Sequence, residues 1–225
     1  MSEGLDEPRL RLEGEPDEER REDVTEVETE HEQPPAPPGE DELPAEEDEL
    51  PRLRGAEHAA GALRIPDGYG VIEGEPTGAR RSVGIVVARF NGEITGELLA
   101  HALDELERAG VGREAVTIVP VPGAFELPLA AMALAKTRRY SCIVALGAVI
   151  RGETPHFEYV ASEAASGLQL AGIETGVPVA FGVLTVENEE QARERLDKGA
   201  EAVRTALEMA DVFSQLRAAA GSAPG

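Results

Sequence analysis

Four short, almost purely apolar runs rich in Val and Ile constrain this chain more than any other feature: Val83 to Ala88, Val116 to Val121, Cys142 to Val149 and Val179 to Thr185. A strand with one wet face alternates apolar and polar residues. A run without that alternation needs cover on both faces, which helices packed over a parallel sheet provide. The intervening segments supply the helices. Ile94 to Ala109 places Leu98, Leu99, Ala102, Leu103 and Leu106 at three- and four-residue spacing, with Gly110 in the position of a C-cap. Glu126 to Thr137, Phe157 to Ile173 and Asn188 to Leu216 show the same helical spacing. Strand and helix in alternation predict an α/β fold: a doubly wound, flavodoxin-like three-layer α/β/α sandwich around a four-stranded parallel sheet. Gly70-Val-Ile-Glu73 is a candidate N-terminal edge strand, for this sheet or for a neighbouring subunit's.

Charge divides the chain. Of 225 residues, 44 are acidic and 21 are Lys or Arg, but residues 1–60 alone hold 22 acids against 6 arginines. The same stretch holds 8 of the 16 prolines and no Phe, Trp or Tyr, so it has too little apolar surface to offset the entropy of ordering. Residues 1–64 are therefore expected to be a disordered acidic, Pro-rich tail, 65–217 the folded domain and 218–225 a flexible C-terminus. A negative sum on both parts removes the footprint that phosphate-backbone binding needs, and disfavours an anionic membrane surface. No nucleic acid and no membrane are expected as partners. The longest uncharged stretches, such as Ser141 to Ile150, have about half the length of a bilayer-spanning helix. The N-terminus lacks the features of a signal or transit peptide, and one cysteine, Cys142, excludes an intramolecular disulfide. A cytoplasmic location fits both.

In sheets of this kind ligands bind beyond the carboxyl ends of the strands. There the sequence reads Arg89-Phe90-Asn91-Gly92 after the first run, Pro120 to Glu126 at the second and Val149 to His156 at the third, while the fourth passes through Phe181-Gly182. Singly, each is ordinary turn or core chemistry; their joint placement at one rim carries the signal. Gly152-Glu-Thr-Pro-His156 enters a helix, so its N–H groups and the Thr154 hydroxyl suit a phosphate at a positive helix end, with Arg151 beside them. An ordinary capped helix start, with Pro155 in the first turn, explains the same residues equally well. Glu126 is likewise a favourable first-turn acid, and a strand-end Phe such as Phe90 or Phe181 is more often core than a stacking platform.

Arg89-Phe-Asn91, Val121-Pro-Gly-Ala-Phe-Glu-Leu-Pro128, the run from Gly147 to Val160, Phe181-Gly-Val-Leu-Thr185 and Glu187-Asn-Glu-Glu-Gln-Ala192 resemble the 6,7-dimethyl-8-ribityllumazine synthases. The resemblance runs from about Gly70 to Leu216, and the tail has no counterpart in it. It implies a transferase of riboflavin biosynthesis that condenses 5-amino-6-(D-ribitylamino)uracil with 3,4-dihydroxy-2-butanone 4-phosphate, without metal or cofactor. By similarity, imine formation, phosphate elimination and ring closure follow one another. His156 matches the proton-transferring residue. Phe90, Gly123, Ala124, Phe125, Glu126, Ala148, Val149 and Ile150 match the pyrimidine and ribityl contacts, with Phe181 and Lys198. Gly152, Glu153, Thr154 and Arg195 match the phosphate contacts.

Phe181 and Arg195 would come from an adjacent subunit, so the resemblance implies a homo-oligomer, a pentamer or an assembly of pentamers, with sites between subunits. Riboflavin synthase is a candidate partner. Where the family usually reads Arg-Ala-Gly-Thr-Lys-x-Gly-Asn-Lys-Gly, this chain reads Arg195-Leu-Asp-Lys-Gly199, about five residues shorter. Across that gap Lys198 aligns with the retained lysine and Glu201 with an acid near the histidine. Arg193 competes with Arg195 for the phosphate. Two other functions fit the same residues: a flavin- or ribityl-binding module without turnover, and a container in which the tail matters more than the site.

Overall fold

The computed structural model of the chain describes residues 63–221. The expected acidic tail, apart from Leu63 and Arg64, and the last four residues of the expected C-terminal segment lie outside the described residues.

Each apolar run is a strand: β1 Val83–Ala88, β2 Val116–Val121, β3 Cys142–Ile150 and β4 Val179–Val186. They form one parallel sheet in the order β2-β1-β3-β4, with Val83 opposite both Val116 and Cys142. Helix α1, Gly92–Arg108, and helix α5, Lys198–Gly221, cover one face. There Val83, Ile85 and Val87 of β1 meet Ala102 and Leu106 of α1 and Val203 and Leu207 of α5. Helix α2, Leu127–Lys136, and helix α3, His156–Thr175, cover the other. There Val86 and Ala88 meet Leu127, Ala131, Leu168 and Ala171. Alternate β1 residues thus go to opposite cores and all six are buried, the physical reason for a strand without polar positions.

Three elements differ from the sequence reading. β2 is an edge strand, so Thr117, Ile118 and Pro120 stay exposed, and Pro120 is tolerated because an edge leaves one side of the backbone unpaired. The helix expected over Asn188 to Leu216 is two: α4, Glu189–Arg193, capped by the Asn188 side chain accepting from the Gln191 N–H, and α5. Gly199 explains the break. It lies against the α1 backbone, where a Cβ would overlap the Leu98 carbonyl oxygen, so α5 must leave the line of α4 to reach that contact. α5 then continues to Gly221, beyond the expected domain end at 217.

Residues 70–73 join no strand of this chain's sheet. The carbonyl of Glu73 accepts from Gln215 of α5 (2.7 Å) and the Glu75 N–H reaches Asp211 (3.3 Å), which also pairs with Arg81. The segment is held on α5 and leaves Tyr69, Val71 and Ile72 exposed. Among the described residues no helix is long and apolar enough to cross a membrane.

Candidate functional site

At the carboxyl rim of the sheet, β1 ends in Phe90 and Asn91. The Arg89 and Phe90 N–H groups donate to Val121 and Pro122, carrying the β1–β2 pairing past the strand ends. Asn91 turns the chain with φ 58°, a left-handed conformation that Asn tolerates better than most residues. Its side-chain N–H donates to the Ala148 carbonyl of β3 at 2.9 Å, and its own carbonyl accepts from Ile94 and Thr95 of α1. The Phe90 ring is left 70% exposed over the rim, the state of a side chain presented rather than packed.

After β2, Gly123 to Glu126 form a tight loop whose last three residues make a single 3-10 turn before α2. One Glu126 carboxylate oxygen accepts from the Gly123 N–H at 2.9 Å, so the acid closes its own loop and keeps its other oxygen available. Glu126 thus organises the helix entry, as a first-turn acid does, and also lines the cleft described below.

After β3, the Arg151 N–H donates to the Val186 carbonyl of β4, and the chain then runs free to α3. Among the described residues, the N–H groups of Gly152, Glu153 and Thr154 make no hydrogen bond. They precede a helix of 20 residues, whose aligned peptide dipoles favour an anion at that end. His156 is the first residue of that helix, exposed, and its imidazole has no partner among the described residues. Arg151, expected to assist with phosphate, is instead occupied. It pairs with Glu187 and, at 3.8 Å, with Glu158, while its guanidinium carbon stands 4.1 Å from the Phe157 ring centroid. The hydrogen bond to Glu187, and the charges of Glu187 and Glu158, push its pKa further up.

These three loops enclose one open cleft of about 420 Å³. Phe90, Gly123, Ala124, Phe125 and Glu126 line one side; Ala148, Val149, Ile150, Gly152, Thr154 and His156 line the other. Glu153, Phe181, Arg195 and Lys198 do not line it. Phe181 sits early in β4, opposite Ala145, on the free edge and away from the carboxyl rim where the sequence reading grouped it. Arg195, in the turn after α4, donates to the Gln191 carbonyl at 2.7 Å and pairs with Glu194, whereas Lys198 pairs with Glu201. Arg193, the competitor of Arg195, is engaged by Glu93, Glu97 and Glu189, and is the less available of the two. Asn91, Phe157 and Val160 also line the cleft; all three stand inside the motifs quoted from the sequence, which gave them no role there. The signal for Asn91 was present: an Asn between a strand end and a helix start is a recurrent left-handed turn residue.

A doubly wound sheet whose carboxyl rim gathers a presented ring, a carboxylate, unpaired N–H groups at a helix start and a free imidazole defines a class, the three-layer α/β enzymes that take small substrates at their strand ends. A family model described as 6,7-dimethyl-8-ribityllumazine synthase matches residues 80–214. The chain is also similar to the proteins of that name from Yersinia pestis (strain Pestoides F) and Yersinia pseudotuberculosis (serotype O:1b, strain IP 31758). With each it is 52% identical over 153 residues, covering 65% of this chain and 98% of the relative. The chain belongs to the 6,7-dimethyl-8-ribityllumazine synthase family, transferases of riboflavin biosynthesis.

Proposed function

We propose that the cleft bounded by Phe90, Glu126 and His156 is where this chain condenses 5-amino-6-(D-ribitylamino)uracil with 3,4-dihydroxy-2-butanone 4-phosphate. The observation that carries the reading is the convergence, in one cleft, of the groups each half of that reaction needs. Phe90 offers a face for the pyrimidine ring, and the ends of β3 at Ala148 to Ile150 offer backbone groups to its edge. The free oxygen of Glu126 accepts from the ribityl hydroxyls in charge-assisted bonds, and Gly123 to Phe125 shape the wall beside it. The N–H groups of Gly152, Glu153 and Thr154 receive the phosphate.

With the substrates so held, the primary amine attacks the ketone and water leaves as the imine forms. Phosphate is then eliminated, and the second amine closes the ring with loss of a second water. Each step moves a proton, the task for which an unengaged imidazole at His156 is suited.

Phe181, Arg195 and Lys198 lie on the β4, α4 and α5 side of the same chain, so they serve a neighbouring copy's cleft in a homo-oligomer, a pentamer or an assembly of pentamers. The apolar surface around the free β4 edge, where Ile173, Phe181 and Met209 are exposed beside a groove of about 260 Å³, supports such an interface. The buried thiol of the single cysteine supports a reducing, cytoplasmic setting, and the product is suited to hand-over to a riboflavin synthase.

A steady-state assay of lumazine formation tests the site. His156→Ala should lower kcat by about 10²- to 10⁴-fold with KM for either substrate little changed, because proton transfer and not holding is lost. Normal turnover in that variant would remove His156 from the reaction.

A further inference from the structure

We infer that Arg151 is a positioning residue of this site, a clamp that fixes where the anion-facing loop and His156 stand, and not itself a grip on the phosphate. The inference rests on the cleft being the reaction site. The loop from Gly152 to Pro155 has few ties of its own: none of its first three N–H groups is hydrogen-bonded among the described residues, and all four residues are exposed. Arg151 precedes it and reaches three elements at once. Its N–H donates to Val186 at the end of β4, and its Nε donates to Glu187 just past that end. Its guanidinium lies over Phe157 and faces Glu158, both in the first turn of α3. Loop, strand end and helix start are thereby joined through one side chain, with His156 between its two α3 contacts and the loop.

Electrostatics oppose a direct phosphate role. Two carboxylates face the one guanidinium, so the group of three carries a net negative charge, and Glu153 adds another acid to the same loop. A phosphate arriving here meets its favourable field from the unpaired N–H groups and the helix dipole. Each ion pair, being exposed, contributes little alone. Their convergence on four residues with few other bonds matters because a misplacement of about 1 Å at a reacting group can lower a rate about 10²-fold. Arg suits the task where Lys does not: a planar fork can lie on a ring while its edge donates to carboxylates.

The two roles give opposite signs in one variant. Glu187→Gln loosens the clamp and at the same time frees the guanidinium. In the full-length protein, positioning predicts that Glu187→Gln and Arg151→Gln both lower kcat, raise KM for the butanone phosphate and weaken inhibition by inorganic phosphate, each by about 3- to 10-fold. KM for the pyrimidine should change little, and Arg151→Lys should restore only part of the loss. Tighter inorganic phosphate binding in Glu187→Gln, or an unchanged KM in Arg151→Gln, would overturn the inference. His156→Ala run alongside separates the two failures. If it is slow while the Arg151 variants are normal, only the clamp is wrong; if His156→Ala, Phe90→Ala and Glu126→Gln are all normal as well, the cleft is not the site and the clamp has no role there.

Discussion

Two side chains of opposite availability show how position decides chemistry. His156 and Cys142 are both nucleophilic or basic in principle, yet His156 opens a helix at the rim while Cys142 opens β3 inside the core. Burial pushes the Cys142 thiol from its ordinary 9.0 up to about 12, against the lowering effect of Arg81's charge. It should therefore resist thiol reagents at neutral pH until the protein is unfolded. The sign for stability follows from linkage. Above pH 9 the unfolded thiol ionises while the folded one keeps its proton, so the unfolded state binds fewer protons and stability falls as pH rises towards 12. Urea unfolding at stepped pH should show the wild type losing stability relative to Cys142→Ala by up to about 1.4 kcal/mol per pH unit in that window. Parallel curves would mean the thiol ionises alike in both states. Roles such as these were legible to different degrees. Phe90, Glu126 and His156 could be grouped from the sequence because each stands at a strand end beside turn residues, and all three line one cleft. The partners of Arg151 were not legible, because Glu187 lies 36 positions away and a guanidinium's neighbours cannot be read from local spacing.

At the scale of elements, the four strands match the apolar runs to within one residue, since Val and Ile runs flanked by Ser82 and Arg89, by Pro122, by Ser141 and Arg151, and by Pro178 and Glu187 leave little choice. What escaped the sequence is chiefly non-local. Pro120 inside β2 was a local sign of an edge strand that the apolar run obscured, whereas nothing between Glu194 and Asp197 breaks a helix by propensity. The α4/α5 break comes from tertiary packing at Gly199. An Ala there would gain about 1 kcal/mol in helix propensity. The added methyl, however, meets the backbone of Leu98, which cannot rotate away, and overpacking of that kind costs about 1–3 kcal/mol. Gly199→Ala should therefore be net destabilising, seen as a lower denaturant midpoint with an unchanged slope. A midpoint at or above the wild type's would show that α5 can move off α1 without loss.

For the whole molecule, the distribution of site residues over two sides of one chain gives the strongest test of the proposed assembly. Phe90, Glu126 and His156 share a cleft, while Phe181 and Arg195 lie outside it. If each working site joins one chain's cleft to a neighbour's Arg195, His156→Ala and Arg195→Ala are defects in different halves of a shared site. Co-assembled in equal amounts, they should recover up to about a quarter of wild-type activity at low butanone phosphate, the fraction of interfaces that pair two intact halves at random. A mixture no more active than its components would place all the chemistry within one chain. The strand order carries a further consequence, in time instead of space. β1, fully apolar, is made before either of its neighbours, and its partner β3 begins 59 residues later, at Cys142 against Val83. At about 5–20 residues per second, the strand at the centre of the finished sheet stays without its inner neighbour for roughly 3–12 s of synthesis.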